Sequence, residues 1–306
     1  MTLPALLVEA FTEQPCQGNG AAVVLLKEAL PAAQLQAIAR SLQQSETAFL
    51  LRQQDAWLLR WFTPTCEVPL CGHGTLAALL ALGHWGHLLP GAAAALHSRS
   101  GPLRVELDGD NPALGRLDLP SSPMEPAQPP ASLMALLARQ GVSAPLHYWT
   151  SPLGYRVALV GATAPLQALV IPASELPEAE QGGLVIMQAL EGAPVPQVLG
   201  IPADYQLRFF APGLGIPEDP VTGSAHALVA PYWLERLGRR SVAGWQCSDR
   251  PGGVHCEAAS SGMIRLSGAG HLLWNGSLNL SGWTAAPSDA VAADCDPGWG
   301  ALLPRA

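Results

Sequence analysis

The feature that constrains this chain most is a repeat of itself. Arg60-Trp-Phe-Thr-Pro64 returns as Arg208-Phe-Phe-Ala-Pro212, an offset of 148 residues from 60 to 208. At the same offset Val68-Pro69 meets Ile216-Pro217, and Cys71 falls on Asp219. With one residue inserted, Gly74-Thr75 matches Gly223-Ser224, and an Ala-rich helical run follows each. Arginine, aromatic, proline and small-residue turn recur in one order, which outweighs chance similarity of short apolar segments. In a chain of 306 residues the offset is close to half the length. The expected architecture is therefore two copies of one unit, each with strand, proline-bearing loop, ionisable side chain, Gly-rich turn and helix.

Local patterning fills in the copies. Strands are expected at Ala5–Phe11, Ala21–Leu26, Thr47–Arg52, Trp57–Phe62, Leu103–Leu107 and Gly115–Leu119. A helix over Pro31–Gln44 starts with proline in its first turn and lines Leu35, Ile38, Ala39 and Leu42 on one face. A second, over Gly74–Leu82, reads as buried. Proline density in PSSPMEPAQPP at 120–130 breaks helix and sheet alike. It marks a linker at 121–129 between an N-terminal half, 1–120, and a C-terminal half, 130–284, whose last strand is free to return to the first half. A helix near Ser132–Arg139, strands at Arg156–Val160, Leu184–Gln188 and Gln206–Phe210, a helix over Ser224–Leu237 and strands across Gly244–Leu280 follow. Beyond Trp283 the tail, 285–306, reads as loosely held.

Composition removes several kinds of chemistry. The 16 basic residues include a single lysine, Lys27, in LLKEAL, so neither a Schiff-base lysine nor a P-loop is present. A net charge of −8 argues against a nucleic-acid partner. Val68–Ser98 carries no Asp, Glu, Lys or Arg, but its longest unbroken apolar piece is LAALLAL at 76–82, far below the ~20 residues that span a bilayer. The N-terminus has no basic region ahead of Glu9 and does not read as a signal peptide. Six cysteines without a CxxC pair read as a reduced, cytoplasmic protein. His84 and His87 lack a third ligand nearby, Gly213-Leu-Gly215 lacks dinucleotide-loop spacing, and Ser224 lies outside a GxSxG elbow. No metal and no cofactor is expected. Arg60 and Arg208, at matched strand positions, read as structural ion-pair partners.

Two helix N-termini approached by Gly-rich turns offer two sets of free backbone N–H groups. Facing each other across a cleft they suit a small carboxylate, each end contributing about 0.3–2 kcal/mol depending on burial. An ionisable group stands ahead of each turn, Cys71 in one half and Asp219 in the other, a layout for proton transfer at a carbon flanking a carboxylate.

Four segments then carry a resemblance. Gly18-Asn-Gly-Ala-Ala-Val23, Ser45-Glu-Thr-Ala-Phe49, Cys71-Gly-His-Gly-Thr75 and Glu218-Asp-Pro-Val-Thr-Gly-Ser-Ala225 occur in this order. Gly252-Gly-Val-His-Cys256 and Leu266-Ser-Gly-Ala269 follow, so that the likeness spans about residues 3–283. Together they resemble the PhzF-like family, named for an isomerase of phenazine biosynthesis, which shares the diaminopimelate epimerase fold with cofactor-independent racemases. The resemblance implies an α+β fold of two similar domains, each a β-barrel-like sheet wrapped around a central helix, with the active site in the cleft of a pseudo-twofold. It implies Glu46 as the acid/base of an isomerase that moves a proton on a small carboxylate, as the family's isomerase does on a dihydro-hydroxyanthranilate. It further implies His73 and Asp219 as assisting groups, and Gly72, Gly74, Gly223, Ser224 and Asn19 as substrate-binding positions in a homodimer. Gly20 stands where the family usually has proline and Gly74 where it has alanine, and both are expected to loosen their turns. Cys71 occupies the place of one catalytic cysteine of the epimerases, with Asp219 in place of the other. A two-base racemase using Cys71 and Asp219, and a catalytically silent ligand-binding protein, are the alternatives. For Cys71 an inert buried thiol and a thiol activated by the helix N-terminus stand level; Asp219 suits helix capping as well as catalysis.

Overall fold

The computed structural model describes residues 1–192, 194–260, 262–283 and 298–304. Its N-terminal half builds β1 (Thr2–Ala10), β2 (Asn19–Leu26), β3 (Glu46–Gln53), β4 (Ala56–Phe62), β5 (Glu67–Val68), β6 (Ala93–Ser98), β7 (Gly101–Leu107) and β8 (Leu114–Pro120). Helix α1 (Ala32–Leu42) joins β2 to β3, and α2 (Gly72–His84) joins β5 to β6. The second half opens with β9 (Glu125–Pro126) and α3 (Ala131–Arg139), then β10 (His147–Thr150), β11 (Arg156–Leu159) and β12 (Leu184–Ala189). A small hairpin of β13 (Gln197–Val198) and β14 (Ile201–Pro202) precedes β15 (Tyr205–Ala211) and β16 (Ile216–Asp219). Helix α4 (Gly223–Leu237), β17 (Ser241–Gln246), β18 (Gly252–Ala258) and β19 (Met263–Asn279) complete it.

Strand pairing repeats between the halves. β2 and β3 are parallel, β3 and β4 antiparallel, β4 and β6 parallel, and β6, β7 and β8 follow antiparallel. In the second half β11 and β12 are parallel, β12 and β15 antiparallel, β15 and β17 parallel, and β17, β18 and β19 antiparallel. The strands of each half, joined in one continuous sheet, pack around one apolar helix. In α2 every residue from Gly72 to Leu82 is buried, because no face of GHGTLAALLAL carries a charge. In α4, Pro231 cannot donate to Ala227, and Ser121 Oγ donates to that freed carbonyl at 3.2 Å. β19 joins the halves: residues 263–269 pair with β8, and 270–279 pair with β1.

The two arginines of the repeat do the same work in each copy. Arg60 holds Glu67 at 2.8 Å through Nε and Nη2, and Arg208 holds Glu218 at 2.7 and 2.6 Å through the same atoms. Both guanidinium groups lie over a phenylalanine two residues on, Phe62 at 5.3 Å and Phe210 at 5.0 Å.

These pairings correct the register of the repeat beyond the prolines. Trp61 faces Val68, whereas its equivalent Phe209 faces Asp219, so the second hairpin spans ten positions where the first spans seven. Glu67 therefore matches Glu218, and Cys71, which caps α2, matches Thr222 at the cap of α4. Asp219 is not the counterpart of Cys71. Extra residues in a hairpin loop leave both flanking patterns intact, so short-segment matching placed them too late.

Several short strands were not expected from the sequence, β6, β10 and β16 among them. β6 is AAALHS, and alanine carries little strand signal. The described part of the tail is also held more firmly than expected. Trp299 and Leu302 are buried against Leu30, Leu35 and Ile38; Trp299 Nε1 donates to the Leu30 carbonyl at 3.0 Å, and its ring lies 5.4 Å from the Arg60 guanidinium. Trp299→Phe removes that hydrogen bond and part of the contact. It should cost about 1–2 kcal/mol in a urea unfolding titration, where a truly loose tail predicts no change.

Candidate active site

The two helix N-termini meet. A Cβ added to Gly72 would stand 3.0 Å from the Gly223 Cα, and one added to Gly223 would stand 3.1 Å from the Gly72 Cα. Any larger residue at either position would press on the opposite backbone. Phe11 closes β1 with a left-handed φ of 61° and sets its ring beside Gly223 and Gly268. At α2, Cys71 Sγ accepts from the Gly74 amide at 3.2 Å and caps the helix. No side chain caps α4, so its first-turn amides, with Gly223 and Ser224, are left without a side-chain acceptor. A Cβ at Gly74 would meet Trp61 Cδ1 at 2.8 Å and Cys71 Sγ at 2.9 Å.

Five expected site residues, Asn19, Glu46, Cys71, His73 and Asp219, come together beside these termini, all buried. Asn19, the first residue of β2, is the hub. Its Nδ2 donates to Asp219 Oδ1 at 2.5 Å and to the Val221 carbonyl at 3.0 Å, and lies 3.1 Å from His73 Nδ1. Its Oδ1 accepts from Ser45 Oγ at 2.9 Å. Two acceptors fix the amide with its N–H groups toward His73. His73 Nε2 lies 2.8 Å from Glu46 Oε2. That contact is too poorly aligned to count as a hydrogen bond, and Oε2 has no other partner.

Burial decides most of the local acidities. It pushes the Cys71 thiol up to about 11, against the pull of His73. For His73 burial opposes charge, but Cys71 and Glu46 outweigh it and hold the ring well above the usual imidazole range. Burial lifts Asp219 to about 6, with Glu46 adding to the rise and His73, Thr222 and Asn19 opposing it. The folded protein thus keeps a proton on Asp219 that the unfolded chain releases near 3.8. Stability conferred by that proton is present below about pH 4 and lost as pH rises through about 6. Asp219→Asn should flatten the decline in melting temperature across this interval, and an unchanged decline would contradict the assignment.

Glu46, Cys71 and His73 place a ligand atom each within 4.8 Å of one another. A divalent ion asks for a free imidazole nitrogen. Here Nδ1 faces an Asn19 N–H and Nε2 faces Glu46.

A family model described as phenazine biosynthesis-like protein matches residues 8–269. The chain belongs to the phenazine biosynthesis-like family. An uncharacterized isomerase of Pseudomonas aeruginosa is 36% identical over 287 residues, covering 90% of this chain and 97% of the relative. The human phenazine biosynthesis-like domain-containing protein is 34% identical over 292 residues, 91% of this chain and 99% of that one. The crystal structure of a PhzF family protein from Enterococcus faecalis superposes with a TM-score of 0.79 at 30% identity, covering 92% of this chain and 100% of its own. The family fold, two similar halves around central helices, is the fold described above.

Within this phenazine biosynthesis-like framework the structure adds four residues to the expected set. Ser45 Oγ stands 3.2 Å from His73 Nε2, and Thr222 Oγ1 donates to Asp219 Oδ2 at 2.6 Å. Both lie inside the quoted motifs, one position from Glu46 and from Gly223. Tyr155, on the approach to β11, has its hydroxyl 3.1 Å from Ser224 Oγ and its ring 4.9 Å from Phe209. Burial pushes that phenol up to about 12, and Asp219, Cys71 and Glu46 add to the rise. Gln246 binds the loop behind Asp219. Neither Tyr155 nor Gln246 belongs to a motif, so nothing local marks them. His84 and His87 lie away from the site, His84 bonded to Asn275 and His87 packed on Trp57.

Among the described residues no helix is long and apolar enough to cross a membrane.

Proposed function

We propose that this chain is a cofactor-independent isomerase that moves a proton between carbons of a small carboxylate, with Glu46 carrying the proton. The observation that carries this reading is Glu46 Oε2, buried, unpartnered by any well-formed hydrogen bond, and 2.8 Å from His73 Nε2 beside two helix N-termini. In this reading the substrate carboxylate rests on amides of Gly72, Gly223 and Ser224. Abstraction of a carbon-bound proton by Glu46 spreads negative charge onto that carboxylate, where the helix ends stabilise it. The carboxyl proton of Glu46 exchanges with solvent, and Glu46 then delivers a proton to a second carbon. His73 holds Glu46 in place through Nε2, and Asn19 links His73 to Asp219.

The names of the relatives, isomerases among them, support the reaction class. Two features favour the glutamate over a Cys71–Asp219 racemase. Cys71 is a thiol raised to about 11 by burial, and the matching position in the second half is Thr222. We extend the same reading to a cytoplasmic homodimer, on the family resemblance alone.

The test is solvent exchange. Incubated in heavy water with a panel of small unsaturated carboxylates, the enzyme should place deuterium at a carbon that gains hydrogen as the double bond shifts. Tight carboxylate binding without exchange would instead identify a binding protein.

A further inference from the structure

Gln246, the last residue of β17, has no exposed surface. Both ends of its amide engage one loop. Oε1 accepts from the Thr222 main-chain N–H at 2.7 Å; Nε2 donates to the Asp219 main-chain carbonyl at 2.6 Å and to Thr222 Oγ1 at 3.3 Å. The loop from Asp219 to Thr222 is therefore held at both ends from a strand of the same half. A hydroxyl has one proton to donate. With an N–H of Gln246 against Thr222 Oγ1, that proton is directed to Asp219 Oδ2, 2.6 Å away. Such chains polarise, each bond strengthening the next.

We propose that Gln246 is the positioning residue for Asp219: it fixes the 219–222 loop and makes Thr222 a one-way donor to the Asp219 carboxylate. This deepens the proton-transfer reading above, in which Asp219 belongs to the site. It also explains how a fully buried carboxyl stays able to ionise. Every neighbour of the carboxyl has a defined sign. Asn19 from β2, Thr222 from its own loop and His73 from α2 favour the ionised form; Glu46 from β3 opposes it; the hydroxyl of Tyr155, beside β11, lies within its field. Without Gln246, Thr222 loses its fixed direction and the balance moves toward the protonated acid.

The readout is the titration of Asp219 itself. In protein labelled with carbon-13 at aspartate carboxyls, the Asp219 signal is assigned by its loss in Asp219→Asn. Gln246→Met keeps the length and buried volume of the side chain and removes all three bonds. It should raise the Asp219 midpoint from about 6 by roughly one pH unit. Thr222→Val, which breaks only the last link, should raise it in the same direction. A merely structural role lowers melting temperature and leaves the midpoint in place; an unmoved midpoint in either folded variant overturns the proposal. If Gln246→Met fails to fold, Thr222→Val decides alone. Solvent exchange by the wild-type protein is scored separately, so its absence counts against the isomerase reading while the Asp219 midpoint still judges Gln246.

Discussion

Glu46→Gln should lower solvent-hydrogen exchange by about 10²–10⁴-fold, the range ascribed to a positioned acid/base, while leaving the fold and carboxylate affinity unchanged. Glutamine has the shape of glutamate and can still face His73 Nε2 with its amide oxygen. The change removes only the capacity to take and return a proton. It touches neither the amides of Gly72, Gly223 and Ser224 nor the Asn19 bridge to Asp219. Binding of a competing carboxylate, followed by calorimetry, should therefore stay within about twofold, since uniform binding is separable from transition-state stabilisation. A parallel loss of affinity would move Glu46 from proton carrier to substrate anchor.

The second large effect concerns the meeting of the helices. Gly72→Val places side-chain carbons where the Gly223 backbone already stands, since even a Cβ at that position lies 3.0 Å from the Gly223 Cα. The clash is with main chain, which cannot rotate away. The helix ends must separate, at about 1–3 kcal/mol for overpacking. Displacement of either set of amides by about 1 Å is enough to cost roughly 10²-fold in rate. The expected result is a folded protein with a lowered melting temperature, weakened carboxylate binding and strongly reduced exchange. Gly74→Ala should be milder for the helix approach, because its obstacle is the Trp61 ring and the Cys71 sulfur rather than the opposite helix.

Much of this arrangement can be read before folding. The Arg–aromatic–Pro repeat announces the duplication, because the same buried ion pair and the same turn must form twice, as Arg60–Glu67 and Arg208–Glu218 show. Apolar runs place α2, buried from Gly72 to Leu82, and the first two turns of α4. What stayed hidden depends on distance in sequence. Asn19 and Asp219 are 200 residues apart yet share a hydrogen bond, and only the family motifs pointed to both. Thr222 was displaced by the longer second hairpin, which no pattern of apolar residues records. Gln246 ends a strand whose alternation looks ordinary and Tyr155 stands just ahead of another, and both acquire their roles from what the other elements bring alongside. The tail failed for a related reason: Trp299 in a Gly- and Pro-rich stretch carries no period, and its burial depends on a groove beside α1 made by distant residues.

The most direct measurement of the central claim is the position of one deuterium. An unsaturated carboxylate turned over in heavy water should return with deuterium at the carbon that gains hydrogen and with its double bond moved, and Glu46→Gln should abolish the label. Deuterium at the carbon bearing the carboxylate, with inverted configuration and an unmoved double bond, persisting in Glu46→Gln and lost in Cys71→Ser, would contradict it.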